Sequence, residues 1–288
     1  PAGFNGVVGF RPGAGVVPRG KRLQAFDTLW VEGPMARNVM DVALMLDAGA
    51  GHHPEDPFSF DPPASFLSAL TGEDRPSRIA FSTDLGVVPM SREVEAVTTK
   101  AAERIMASGV DVTNEIPDFS GALDGFQTLR AVLLGTMMGE LLEAEPDRIA
   151  KDIVKNVERG YTVTPSQIFT AERTRWLLYH QMTEFFKSHD LLICPSASIP
   201  AFPVELDYVT EIDGKPCENY IDWFSITFIL TMTSCPVISI PCGLTSDGLP
   251  IGLQLVGKPR GEISLLQSAK WMEEVLGIPD SLPIDPRT

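Results

Sequence analysis

The chain has 288 residues, 44% of them hydrophobic and 21% charged, and a formal net charge of −15. That balance is ordinary for a globular fold, and the acidic excess opposes non-specific nucleic-acid binding, which needs a field of the opposite sign. No apolar run reaches the ~18 residues of a membrane span, and the start at Pro1 shows neither the basic nor the apolar region of a signal peptide.

The length permits one large domain or two modest ones. No repeat, low-complexity tract or linker divides the chain, so one domain over residues 1–288 is expected. Cys194, Cys217, Cys235 and Cys242 form no C-x-x-C pair. Buried, reduced thiols in a cytosolic protein are the expectation, with a disulfide left open.

Residues 1–35 are rich in Gly and Pro, which predicts tightly packed loop and short strand. From Met35 to Ala48 the residues Val39, Met40, Ala43, Leu44 and Leu46 recur at helical spacing. A helix is expected, entered near Pro34 and ended near Gly49 and Gly51. Arg37 and Asp41 lie four apart on it and are spaced to pair. A grip by Arg37 on an anionic substrate is the weaker reading. Residues 52–76 are proline-rich and read as loop with a short helix.

A β-α-β signal follows. Arg78-Ile79-Ala80-Phe81-Ser82 reads as a strand, and residues 91–108 as an amphipathic helix through Val94, Val97, Ala101 and Ile105. Gly109 stops the helix and Val110-Asp111-Val112 begins the next strand, a pattern that predicts parallel pairing. Residues 121–190 read as mostly helical, broken at Pro146 and over 160–165, with an aromatic-rich face between Phe169 and Phe186. Asp190-Leu191-Leu192-Ile193-Cys194 has the look of a buried strand. After a proline-rich loop from Pro195 to Pro203, residues 220–235 are apolar and hydroxyl-rich. Val237 to Ile240 and Ile251 to Val256 read as strands joined by a turn at Ser246-Asp247-Gly248, and residues 262–276 as a closing helix.

Several motifs have plainer explanations. Gly15 to Lys21 matches the front of a phosphate loop, but Arg22 stands where Ser or Thr should follow and Pro18 removes an N–H donor. His52-His53 with Glu55 and Asp56 suggests solvated loop residues, since no metal-ligand spacing is present. No G-x-S-x-G elbow occurs. Pro1 as a tautomerase-type base is disfavoured, because such chains are much shorter.

Five blocks, in order, carry a resemblance. They are Gly6 to Pro12, Gly33-Pro34-Met35-Ala36-Arg37 with Asp41, Cys194-Pro195, Thr233 to Gly243, and Gly248-Leu249-Pro250-Ile251-Gly252-Leu253-Gln254-Leu255-Val256-Gly257. Together they resemble the amidase signature family almost end to end. Arg11 in place of Lys, Gly13 in place of Thr and Ser234 in place of Gly are departures that read as packing variants.

The resemblance implies an α/β fold with a large mixed sheet flanked by helices. It implies hydrolysis of a carboxylic amide to an acid and ammonia or amine, through an acyl-serine. Family members use a Ser nucleophile, a second Ser on a cis peptide bond, and a Lys that must be neutral to accept a proton. Backbone N–H groups of a Gly-rich loop stabilise the oxyanion. Pro1-Ala2 match the end of the nucleophile loop, which puts all three catalytic residues ahead of Pro1. On this reading the chain alone is inactive, exposes a large apolar patch and aggregates or stays molten. Ser196, Ser198, Ser239 and Lys258 are not recruited as substitutes.

What the resemblance leaves to this chain is pocket wall: Phe4 and Asn5 beside the nucleophile loop, and Trp223, Phe224, Thr227 and Thr231 ahead of Pro236. Phe228 belongs to the same apolar stretch. These walls suit an aryl or alkyl amide, and ordinary core packing is the competing explanation for each. No metal or cofactor is implied, the partner is a small-molecule amide, and a homodimer is left open. Two alternatives stand: a non-catalytic fragment or scaffold, and a glutamyl-tRNA amidotransferase A-type subunit. Such subunits read the amino group of glutamine with an acidic residue, and Phe224 takes its place by ungapped count from Pro236.

Overall fold

The computed structural model describes residues 1–72 and 75–278. The chain opens with a short helix α1 (Ala2–Asn5) and strand β1 (Val8–Arg11), then β2 (Met35–Ala36), α2 (Val39–Gly49) and α3 (Phe66–Ala69). A β3 (Arg78–Phe81), α4 (Arg92–Ala107), β4 (Asp111–Thr113) unit follows, then three helices, α5 (Ala122–Ala144), α6 (Lys151–Thr162) and α7 (Pro165–Phe185). After β5 (Leu191–Pro195) come a small hairpin, β6 (Glu211–Ile212) and β7 (Lys215–Pro216), and a 3-10 turn, Asp222–Phe224, that runs into α8 (Ser225–Thr231). The chain closes with β8 (Val237–Leu244), β9 (Pro250–Val256) and α9 (Glu262–Val275).

Among the described residues seven strands form one sheet in the order β2-β1-β8-β9-β5-β3-β4. β3 is parallel to β4 and β5, and the remaining pairs are antiparallel. This is the large mixed sheet expected. The parallel unit forms for local reasons. Ser91 caps α4 by accepting from Val94 N, Glu93 and Glu95 lie at its positive end, and Arg104 lies in its last turn. Its buried stripe includes Val94, Ala101 and Ile105, while Val97 is half-buried.

All five residues of β5 are buried, because helices cover both faces of the sheet. Leu191 and Ile193 join one core with residues of α2, α4 and α9. Leu192 and Cys194 join a second core with residues of α5, α7 and α8. The β8–β9 turn closes through Gly248 N to Thr245 O, with Gly248 at φ +83°, a conformation that favours glycine.

The structure corrects two expectations. The second helix starts at Val39, not near Pro34. Met35 and Ala36 are instead a strand paired with Gly9 and Val8. Asn38 then caps the helix, accepting from Asp41 N at 2.8 Å and donating to Asp41 Oδ2 at 3.1 Å. Arg37 therefore precedes the helix, and the carboxylate it was spaced to meet is engaged by Asn38. This start also sets the helix phase: Val39, Val42, Ala43 and Leu46 are buried, whereas Met40 and Leu44 are 52% and 55% exposed. The break expected over 160–165 falls at Val163 and Thr164, between α6 and α7, while Gly160 itself stays in α6. A Cβ there would sit 2.4 Å from Ala131 O, so glycine lets α6 cross closely over α5.

The aromatic face of α7 turns outward at Phe169, Trp176 and Tyr179, while Ala171, Leu178 and Met182 are buried. All four cysteines are free. Burial pushes the Cys194, Cys235 and Cys242 thiols up to about 12, which keeps them protonated. Residues 73 and 74 of the proline-rich loop, and residues 279–288 of the expected domain, lie outside the described residues. No helix among the described residues is long and apolar enough to cross a membrane.

Candidate functional site

Strand alternation gives the sheet two unlike faces. Val8, Phe10, Ile238, Ile240, Leu253 and Leu255 all turn into the first core. Between them, Gly9, Ser239, Gly252 and Gln254 belong to the other face. Small residues there let α1 lie directly on the sheet. A Cβ on Gly252 would fall 2.7 Å from Ser196 Oγ, 2.9 Å from Gly3 Cα and 2.9 Å from Ser239 Oγ. A Cβ on Gly9 would fall 2.6 Å from Ala2 Cβ.

The Ser196 and Ser239 hydroxyls meet at 2.6 Å beneath this contact. Gln254 Nε2 donates to Pro195 O at 2.8 Å and holds the end of β5 in place. Gly6, at φ +63°, ends α1 and lets the chain turn into β1. Among the described residues, no Lys or His nitrogen hydrogen-bonds to either serine hydroxyl. The pair packs directly beneath Gly3 of α1, a seat for that helix.

An aromatic row leads away from the seat. Phe4 stacks on Trp223 with centroids 5.2 Å apart and planes 20° apart. Phe202 stands edge-on to both rings, at 6.1 Å from Phe4 and 5.3 Å from Trp223. Trp223 touches Phe224 at 4.6 Å, Phe224 meets Phe228 at 5.7 Å, and Phe228 stacks on Phe126 at 4.2 Å. The Trp223 indole N–H donates to Tyr220 O at 3.0 Å, which satisfies its one polar atom. Thr227 Oγ1 donates to Ser196 O at 2.6 Å and so ties α8 to the loop after β5.

The row ends at a cleft of about 420 Å³ whose walls include Arg11, Trp30, Phe126, Arg130, Phe228 and Thr231. Arg11 Nη1 donates to Cys235 O at 3.2 Å, and burial lowers the Arg11 guanidinium to about 10. Arg130 donates to Asn156 Oδ1 and to the Tyr220 hydroxyl, each at 2.5 Å.

The six sequence candidates thus separate. Phe4, Trp223 and Phe224 come together in the row. Thr227 lies beside it on Ser196, and Thr231, 7% exposed, lines the cleft. Asn5 is exposed and turns its amide back to Pro1 O at 2.8 Å, away from the row. Sequence reasoning missed Phe202, Phe126, Arg11, Arg130 and the Ser196–Ser239 pair. One signal was available: Ser239 interrupts Ile238 and Ile240, and Gly252 precedes Leu253, so the polar and small residues share one face.

Other motifs resolve as plain structure. Two backbone donors of the Gly15–Lys21 loop are already taken, Arg19 N by Asp56 Oδ2 at 2.8 Å and Lys21 N by Glu55 Oε2 at 3.1 Å. Carboxylates in those places repel a phosphate. His53 Nδ1 accepts from Glu55 N, and among the described residues no three His, Cys, Asp or Glu side chains are grouped to hold a metal.

Known proteins share this fold. The chain is 28% identical over 289 residues to an acylamidase of Rhodococcus erythropolis, covering 99% of this chain and 60% of the relative. It is 30% identical over 307 residues to the A-type subunit of glutamyl-tRNA(Gln) amidotransferase from Cereibacter sphaeroides, covering 96% of this chain and 61% of that relative. The crystal structure of a bacterial aryl acylamidase superposes with a TM-score of 0.82 at 25% identity, covering 99% of this chain and 62% of that one. The chain therefore spans about 60% of the length of the curated relatives it matches. A sequence model of the Amidase family matches residues 1–266, and the chain belongs to the amidase signature family.

Proposed function

We propose that the chain forms the scaffold and acyl-pocket wall of an amidase that cleaves an aryl or alkyl carboxylic amide through an acyl-serine. The observation that carries this is the row of Phe4, Trp223 and Phe224 beside α1, the helix that follows the nucleophile loop in the family's block order. The resemblance puts the nucleophile, the second serine and the lysine ahead of Pro1. Ser196 and Ser239 then act by holding α1, and through it the chain that enters α1, at a set height above the sheet. Stacked, half-buried rings suit a planar acyl or anilide group.

The relative from Cereibacter sphaeroides favours a second reading, the amidotransferase component. Phe224 weighs against it: by ungapped count from Pro236 it takes the place of that component's acid, and its ring packs between Trp223 and Phe228. The test is an assay of the whole protein on 4-nitroacetanilide and on L-glutamine. The amidase reading expects release of 4-nitroaniline, with Trp223→Ala raising KM more than it lowers kcat. Ammonia from glutamine with no anilide turnover establishes the second reading, and turnover of neither overturns both.

A further inference from the structure

We infer that the cleft at the far end of the aromatic row binds the carboxylate of an apolar monocarboxylate, with Arg11 and Arg130 as its cationic wall and Thr231 as a hydroxyl donor. The chain carries a net charge of −15, yet among the described residues neither of these arginines has a carboxylate within ion-pair distance. Their hydrogen-bond partners are neutral: a carbonyl for Arg11, and an amide and a phenol for Arg130.

The neighbours of Arg11 act in both directions: Cys235 and Asp27 favour its charge and Arg175 disfavours it. Arg175 lies near enough to disfavour the charge on Arg11, and it donates to Thr28 rather than to an acid. Burial holds Cys235 as a neutral thiol, and Asp27 is the lesser of the two favourable influences. That carboxylate already accepts from Leu29 N and Trp30 N and lies 3.8 Å from Arg19. A desolvated guanidinium without a counter-ion is costly, and its planar fork matches a carboxylate. The rest of the wall is apolar, with the rings of Trp30, Phe126 and Phe228 around a cleft of about 420 Å³. Such a volume is within the usual range for small-molecule sites, ~300–1,000 Å³.

A ligand that satisfies both requirements is an aryl or alkyl acid. Where that ligand is part of a substrate, the inference rests on the amidase reading: the acid is the far end of a molecule whose amide lies beside α1.

The test is calorimetric titration of the whole protein with phenylacetate and with its neutral counterpart 2-phenylethanol. Phenylacetate is expected to bind about 10-fold to 100-fold more tightly, the range of a charge-assisted hydrogen bond. Arg11→Gln is expected to remove that advantage and leave 2-phenylethanol unchanged, while Arg11→Lys restores part of it. Should Arg11→Gln not fold, Arg130→Gln, at a partly exposed position, carries the same comparison. Equal binding of acid and alcohol, or an advantage that survives Arg130→Gln and any folded Arg11→Gln, overturns the inference. Anilide turnover without carboxylate binding removes this inference alone. Carboxylate binding without turnover removes the amidase reading alone.

Discussion

The two faces of the sheet use the same strands for opposite purposes. On one face β1, β8 and β9 present Val8, Phe10, Ile238, Ile240, Leu253 and Leu255 to α2, α4 and α9, and stability comes from aliphatic burial. On the other, Gly9, Ser239 and Gly252 present almost no side chain, and α1 descends until backbone meets backbone. A face built of large side chains tolerates small readjustments, because rotamers can shift. A face built of glycine contacts has no such slack, so it fixes height more strictly while burying less apolar surface. That suits a segment whose position matters for chemistry.

The comparison breaks first at Leu253, which is fully buried in the aliphatic face. Leu253→Ala is expected to cost about 2–5 kcal/mol through lost burial and a cavity, read as a lower urea midpoint. A neighbouring change on the other face acts by crowding. Gly252→Ala is expected to cost about 1–3 kcal/mol, because its Cβ must displace Ser196, Gly3 or Ser239. It should also shift tryptophan emission, since moving α1 unstacks Phe4 from Trp223. A variant as stable as the wild type with unchanged emission removes the seat from the account.

A third test sharpens the aliphatic side. Glu273 on α9 is buried and accepts from Val39 N at 3.0 Å, and burial pushes its carboxyl from 4.5 up to about 7. Between those values the folded state holds a proton that the unfolded state has released. Stability is therefore expected to be greatest below pH 4.5 for this group and to fall as pH rises to about 7. Glu273→Gln keeps an acceptor for Val39 N and should flatten that slope, by an amount on the order of 1 kcal/mol or more. Thermal melts from pH 4.5 to 8 read the difference, and parallel slopes for both proteins refute it. The smallest effect belongs to the hydroxyl seat. Ser239→Ala removes one partner of the 2.6 Å pair and is expected to cost about 1 kcal/mol, visible as a small shift in urea midpoint.

How far these faces could be read beforehand differs by element. The β3-α4-β4 unit and the β8–β9 hairpin were legible because their signals are local: the apolar spacing of Val94, Ala101 and Ile105, a stop at Gly109 and a turn at Gly248. The phase of α2 was not. Val39, Val42, Ala43 and Leu46 make one stripe and Met40 and Leu44 another, and spacing alone ranks neither above the other. The choice came from pairing of Met35 and Ala36 with β1, a contact between segments far apart in the chain. The break over 160–165 was legible, with Pro165 opening α7, whereas the close approach that Gly160 allows to Ala131 was not. In the candidate site, Trp223 and Phe224 were named through the family resemblance, and their contact with each other is local. Phe202 and Arg11 were not, because nothing nearby in sequence marks their partners.

Composition, ordered blocks and local periodicity were enough to specify the family, the mixed sheet and most of its elements, since these rest on short-range backbone preferences and burial patterns. Which side chains share a face across α1, β8, β9 and the loop after β5, and which arginines end beside an apolar cleft, followed from packing alone. Such contacts join residues tens to hundreds of positions apart, and they are selected by the fit of a complete core rather than by any one segment.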